Sequence, residues 1–215
     1  MKNRWIVLAA GVFIQSILGG IYAWSTFAPW LSKSYGLSKG ECGFIFGMTI
    51  GVFAVSMIPA GRLLAQKGPR LTSSIGAILF LLGYVMASFS GGSFPLLLIS
   101  LGVVAGTGIG FGYVCPLSVG MKWFPEKKGL VTGIAVAGFG GGAILLSTLA
   151  GYYLQNGVDV LSFFRYFGLS AGAILFLASL FLMNPSDAPA GLKKAGELSQ
   201  VMSFPFALIA LAMFS

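Results

Sequence analysis

Leu96-Leu97-Leu98-Ile99-Ser100-Leu101-Gly102-Val103-Val104-Ala105-Gly106-Thr107-Gly108-Ile109-Gly110-Phe111-Gly112-Tyr113-Val114-Cys115-Pro116-Leu117-Ser118-Val119 runs for 24 residues without a charge. A helix needs about 20 mostly apolar residues to cross the hydrocarbon of a bilayer, so this run is long enough. Lys122, Lys127 and Lys128 follow around Pro125, and then a second uncharged run begins, Gly129–Leu154. Working outward, Trp5–Leu31, Gly43–Leu64, Leu71–Phe89 and Phe163–Met183 also qualify. Arg62 and Arg165 lie near the ends of their runs, where a long cationic side chain can reach the interface. The expected fold is an all-α membrane protein, with a six-transmembrane-helix bundle over residues 1–184. A polar stretch rich in breakers, Asn184-Pro185-Ser186-Asp187-Ala188-Pro189, leads into a seventh apolar run, Phe204 to Phe214, too short to cross. Residues 185–202 therefore read as a cytoplasmic linker, and 203–215 as the beginning of a seventh span.

Composition agrees. The 215 residues are 57% hydrophobic and 8% charged, with mean hydropathy +0.93. A soluble domain is about 45–50% apolar and about 25% charged, so a soluble enzyme or nucleic-acid binder is excluded. Histidine is absent, and Cys42 and Cys115 have no metal-ligand spacing, so no metal and no cofactor is expected. The net charge of +8 has a topological reading. With the N-terminus inside, Lys2, Arg4, Arg62, Lys67, Arg70, Lys122, Lys127, Lys128, Lys193 and Lys194 are cytoplasmic, and only Lys33, Lys39 and Arg165 are outside. Inner loops carry such an excess, so the cations mark orientation in a lipid bilayer and no nucleic-acid partner is expected. The first run is far longer than a signal peptide's h-region and reads as an uncleaved span.

Internal echoes divide the spans into two threes. Gly19-Gly20-Ile21-Tyr22 returns as Gly110-Phe111-Gly112-Tyr113, 91 residues on, and Gln66-Lys67-Gly68 returns as Gln155-Asn156-Gly157, 89 residues on. Such an echo fits an inverted three-plus-three repeat. Glycines four apart, including Gly102/Gly106, Gly106/Gly110 and Gly138/Gly142, allow helix backbones to touch. Tyr22 and Tyr113 lie deep in spans one and four, and a tyrosine within hydrocarbon needs a partner for its hydroxyl. A water-filled cavity supplies one, and so does a neighbouring helix. Gln15 is polar near mid-depth of span one, with the same two possibilities.

Two loops carry a resemblance. Gly61-Arg62-Leu63-Leu64-Ala65-Gln66-Lys67-Gly68-Pro69-Arg70 resembles the signature between spans two and three of the major facilitator superfamily. Gly61 and Gly68 match its turn glycines and Arg70 its cation. Ala65 and Gln66 depart from it, replacing the carboxylate and adjacent base that serve the cytoplasmic gate. Lys122-Trp123-Phe124-Pro125-Glu126-Lys127-Lys128-Gly129-Leu130 resembles the corresponding loop of the oxalate:formate antiporter family within that superfamily. Asn3-Arg4-Trp5, Gly19 to Ser25 and Phe204-Pro205-Phe206 are similar to the same family.

The resemblance implies the N-terminal half of a twelve-helix transporter, its partner being a C-terminal six-helix half. It implies alternating access and exchange of small organic anions, such as oxalate- or formate-like carboxylates, across a prokaryotic inner (plasma) membrane. Tyr22, Trp24, Tyr113 and Phe139 would line the substrate cavity together with Gln15, and Gly61, Gly68 and Arg70 would form a gating loop. The superfamily's glycine-rich stretch at the interface between halves is matched by Gly138–Gly142. A proton-coupled carboxylate symporter, and a six-span homodimeric or structural protein without transport of its own, are the alternatives. Catalysis is not expected, because the spans hold no Asp, Glu or His. The cation that would meet an anionic substrate is then expected in the second half.

Overall fold

Ser38 shows why the helices outrun the apolar stretches. Its hydroxyl accepts from the Glu41 backbone N–H (3.2 Å), while the Glu41 carboxylate accepts from the Ser38 N–H (2.8 Å). This reciprocal capping box satisfies donors that a helix start leaves open, and the second helix accordingly begins at Lys39, four residues before the apolar run. Asp159 acts likewise for the sixth, its Oδ2 accepting from Leu161 (3.0 Å) and Ser162 (3.1 Å). Apolar runs measure the hydrocarbon; polar caps extend helices into the interface. Arg165, counted with the outside cations, lies in the second turn of that helix, its guanidinium 5.4 Å from the Phe89 ring centroid.

The computed structural model describes residues 3–185. Its six spanning helices are α1 (Arg4–Tyr35), α2 (Lys39–Lys67), α3 (Pro69–Ser88), α4 (Phe94–Trp123), α5 (Pro125–Gln155) and α6 (Val160–Ser179). No strand occurs among the described residues. The sequence from 186 onward, with most of the expected linker and all of the seventh run, lies outside them. Two helices change pitch: α1 tightens into a 3-10 turn at Gly19–Ala23, and α4 widens into π-helical turns at Leu98–Ala105.

The echoed glycines that follow the second and fifth spans have one job. Gly68, the single residue between α2 and α3, has φ +85°, and Gly157, just beyond α5, has φ +87°. Both end the middle helix of their triplet in a conformation that costs a residue with a Cβ.

Lipid offers no hydrophobic drive for helices to associate, so close backbone approach must supply the packing. Span four is built for it. A Cβ on Gly106 or Gly110 would press on α2 at Thr49 or Ser56. One on Gly108 would meet the backbone of α3 at Phe80, and one on Gly112 would meet Leu18 of α1. The glycines of α4 thus serve three neighbours at once. On α5 the glycines of the Gly138–Gly142 stretch are divided between two faces. Gly138 packs on Val12 and Ser16 of α1, and a Cβ on Gly142 would overlap the Ser16 carbonyl. Gly140 and Gly141 have open space, as do Gly129 and Gly133. Helical periodicity divides the stretch: Gly138 and Gly142, four apart, share the α1 face, and the residues between them point elsewhere. With α2, α5 is the least buried of the six.

Gly142→Ala is expected to lower stability by about 1–3 kcal/mol, the usual cost of overpacking. Gly140→Ala, free of contacts, should hold or raise it by up to about 1 kcal/mol through better helix propensity. Thermal unfolding of the two variants in detergent checks this; equal losses would contradict the assignment of faces.

Candidate functional site

Five aromatic rings from four helices meet near mid-length of the bundle. Phe139 of α5 is the hub: its centroid lies 4.9 Å from Tyr113 of α4, 5.7 Å from Tyr22 of α1 and 6.1 Å from Phe53 of α2. Phe53 stands edge-on to Tyr113 at 5.3 Å, and Phe46 meets Tyr22 at 6.4 Å. Phe139 is 6% exposed, whereas Tyr22 is 47% exposed. The phenylalanines therefore form the floor and Tyr22 the accessible edge, with half-buried Tyr113 between them. The 3-10 turn carries Tyr22, and Gly19 within it lets α1 approach the Phe139 backbone. Tight pitch and a missing side chain thus bring the first tyrosine to the hub.

Gln15 approaches the same group from behind. It is fully buried, and its Nε2 donates to the Tyr113 carbonyl at 3.4 Å, joining α1 to α4. Its Oε1 has no hydrogen-bond partner among the described residues. Trp24 goes elsewhere. Its indole N–H donates to the Cys42 carbonyl at 2.9 Å, and the ring lines a small cavity of about 20 Å³ with Phe27, Thr49 and Tyr84. Phe46 borders both groups, since it lines that cavity and also meets Tyr22. The structure therefore brings Tyr22, Tyr113 and Phe139 together, sets Gln15 behind them, and turns Trp24 inward. Sequence reading passed over Phe46 and Phe53, though their spacing of seven places both on one face of α2.

The nine-residue loop holds one end of the bundle together. Trp123 Nε1 donates to the Met183 carbonyl at 2.6 Å and Lys122 Nζ to Asn184 Oδ1 at 3.2 Å, tying the end of α4 to the segment that follows α6. Phe124 is buried and meets Trp5 at 5.4 Å, while Pro125–Lys127 forms a 3-10 turn. Lys127, Lys128 and Gly129 are exposed. Of the expected gating loop, Gly68 is the turn residue and Arg70 is exposed in the first turn of α3. Gly61 is not in a loop at all; α2 carries on past Pro59, which costs it one backbone hydrogen bond, and remains helical through Lys67 up to the positive-φ Gly68. Arg62, Lys67, Arg70, Lys122, Lys127 and Lys128 share this end with Arg4, and Lys33, Lys39 and Arg165 lie at the other. There Tyr35 donates to Asp159 at 2.6 Å, linking the end of α1 to the α6 cap. No cluster of three potential metal ligands occurs among the described residues.

The family model for the Major Facilitator Superfamily matches residues 6–215. The chain is 28% identical to the oxalate:formate antiporter of Oxalobacter formigenes over 87% of its own length and 44% of that carrier. It is 31% identical to apicoplast pyruvate carrier 1 of Toxoplasma gondii over 72% of itself and 36% of that carrier. It thus spans less than half of either relative. Among solved structures, a D-xylose-proton symporter superposes on 98% of the chain and 52% of its own with TM-score 0.59 at 14% identity, a likeness of fold alone.

Trp24→Phe removes one partly buried hydrogen bond and is expected to cost about 1 kcal/mol of stability while leaving substrate affinity unchanged. Thermal unfolding and substrate binding, measured side by side, check it. Lost affinity at full stability would put Trp24 in the site.

Proposed function

We propose that this chain, which belongs to the major facilitator superfamily, forms one wall of a carrier that exchanges small carboxylates by alternating access. Membership makes it part of a membrane-embedded transporter; the choice of substrate and of exchange rests on the aromatic site and on what its relatives carry. The observation that carries the reading is the convergence of Tyr22 and Tyr113 on Phe139. Their rings stand nearly perpendicular to it, at 89° and 70°. An aromatic ring is negative on its face and positive at its edge, so a set of crossed rings offers positive edges as well as two phenol O–H donors. That combination suits a small planar carboxylate, whose oxygens accept and whose carbon skeleton packs on rings. A sugar would want a denser array of paired donors and acceptors than this wall carries.

The spans' own cations keep to the ends of the bundle, so an anion at the aromatic wall needs its countercharge from the facing half. A wall with donors but no full charge binds weakly alone. Closure by a facing half would then complete the site, which is the logic of a rocking carrier. The cationic end of the bundle would face the cytoplasm of a cell whose inner membrane holds the carrier.

Proteoliposomes holding the protein that carries this chain, preloaded with formate, should take up labelled oxalate, formate or acetate. Tyr113→Phe and Tyr22→Phe each delete one donor and should weaken apparent affinity about tenfold, the equivalent of roughly 1.4 kcal/mol. Residues 1–215 alone should exchange nothing. Uptake that needs a proton gradient but no internal carboxylate would replace exchange with symport, and failure to move any carboxylate would end the proposal.

A further inference from the structure

Arg4 is the unusual cation of this bundle. Its guanidinium carbon lies 5.6 Å from the Trp5 ring centroid and 5.5 Å from that of Phe124. Those rings meet each other at 62°, so the guanidinium is held in the wedge between them. Ring faces attract a cation but give its N–H groups no acceptor. The Nε is buried and has no hydrogen-bond partner among the described residues. A buried donor left unpaired is costly, more so on a charged group. Glu126 lines the same cleft yet does not accept from it.

The cleft has a volume of about 280 Å³ and is walled by Arg4, Trp5, Trp123, Lys127, Leu130 and Ile134, among others. Its chemistry is divided. Trp5 and Leu130 are about 60% exposed, giving an apolar rim at the level where tryptophan favours the interface of a bilayer. Arg4 and Lys127 against the single Glu126 leave its polar part net cationic. An arginine fork matches the paired oxygens of a phosphate, and acyl chains match the rim.

We propose that this cleft, at the inner ends of α1 and α5 beneath the nine-residue turn, binds the headgroup phosphate of an anionic phospholipid, with Arg4 as its principal ligand. The oxyanion takes the N–H edge of the guanidinium, Lys127 adds a second charge, and the acyl chains lie along Trp5, Leu130 and Ile134. The same turn is bonded through Trp123 to the segment that follows α6, so a bound lipid would brace three helices at their common end. The proposal is independent of which solute is carried.

The test uses the delipidated protein carrying this chain, in a neutral detergent, titrated separately with phosphatidylglycerol, phosphatidylcholine and inorganic phosphate. Tryptophan fluorescence, to which Trp5 and Trp123 at the cleft contribute, and thermal unfolding give two readouts. Phosphatidylglycerol should saturate, shift the emission and raise the midpoint, while phosphatidylcholine should bind about tenfold more weakly. Arg4→Gln should weaken phosphatidylglycerol about tenfold or more. Arg4→Lys keeps the charge without the fork, serves if the glutamine variant does not fold, and should show an intermediate loss. Lys67→Gln, at the same end but outside the cleft, should leave binding intact. Equal affinity in the Arg4 variants and the unaltered protein, or no preference between the two lipids, overturns the proposal. Saturation by inorganic phosphate with the same Arg4 dependence overturns the lipid assignment and makes the cleft a site for free phosphate.

Discussion

Bare backbone on the fourth helix is the constraint on which the rest of this bundle depends. A helix in lipid satisfies its own hydrogen bonds and gains nothing from hiding apolar side chains, because the lipid is as apolar as they are. Close contact, helped by a few interhelical hydrogen bonds, holds it to its neighbours. Gly106 and Gly110 bring α2 in, Gly108 brings α3, and Gly112 admits Leu18 of α1. With α4 as hub, α1 is then fixed by Gln15 at the Tyr113 carbonyl and by Gly11, which accommodates the Pro116 ring. Gly19, whose missing side chain admits the Phe139 backbone, then brings α5 to the tyrosines of α1 and α4.

Packing and openness are shared out unequally for the same reason. Gly19, Gly138 and Gly142 spend their missing side chains on the α1–α5 crossing. Gly140 and Gly141, two and one residues before Gly142, have nothing against them, and neither do Gly43, Gly47 and Gly51 on α2. The aromatic group lies between these two open helices, with Phe53 and Phe139 as its buried floor. A site on such a face is half a site, reachable by a solute but not enclosed.

The two ends of the bundle are clasped differently. At one, Trp123 and Lys122 reach Met183 and Asn184 in the segment that follows α6, and Arg4 is wedged between Trp5 and Phe124. At the other, Asp159 accepts the Tyr35 hydroxyl with one oxygen and caps α6 with the other. Each clasp ties α1 or α4 to the region of α6.

The sequence by itself determined that this is a six-span membrane bundle, where its cations fall along the chain, and that Gly68 would be a turn residue. Length, charge and a glycine's tolerance of positive φ are local properties, and they are legible residue by residue. It also determined Tyr22, Tyr113 and Phe139 as candidates, through the echo of the two triplets and the resemblance of the loops. Only the tertiary structure decided their company. Whether a ring faces its own bundle or an open surface depends on helix rotation, which a 3-10 turn at Gly19–Ala23 and the π-helical stretch at Leu98–Ala105 both alter. So Trp24, two residues from Tyr22, turned inward to Cys42, and Phe53 came to stack on Phe139 from a helix not suspected. Glycine is the extreme case: its letter says that something can approach, and only the neighbouring helix says what.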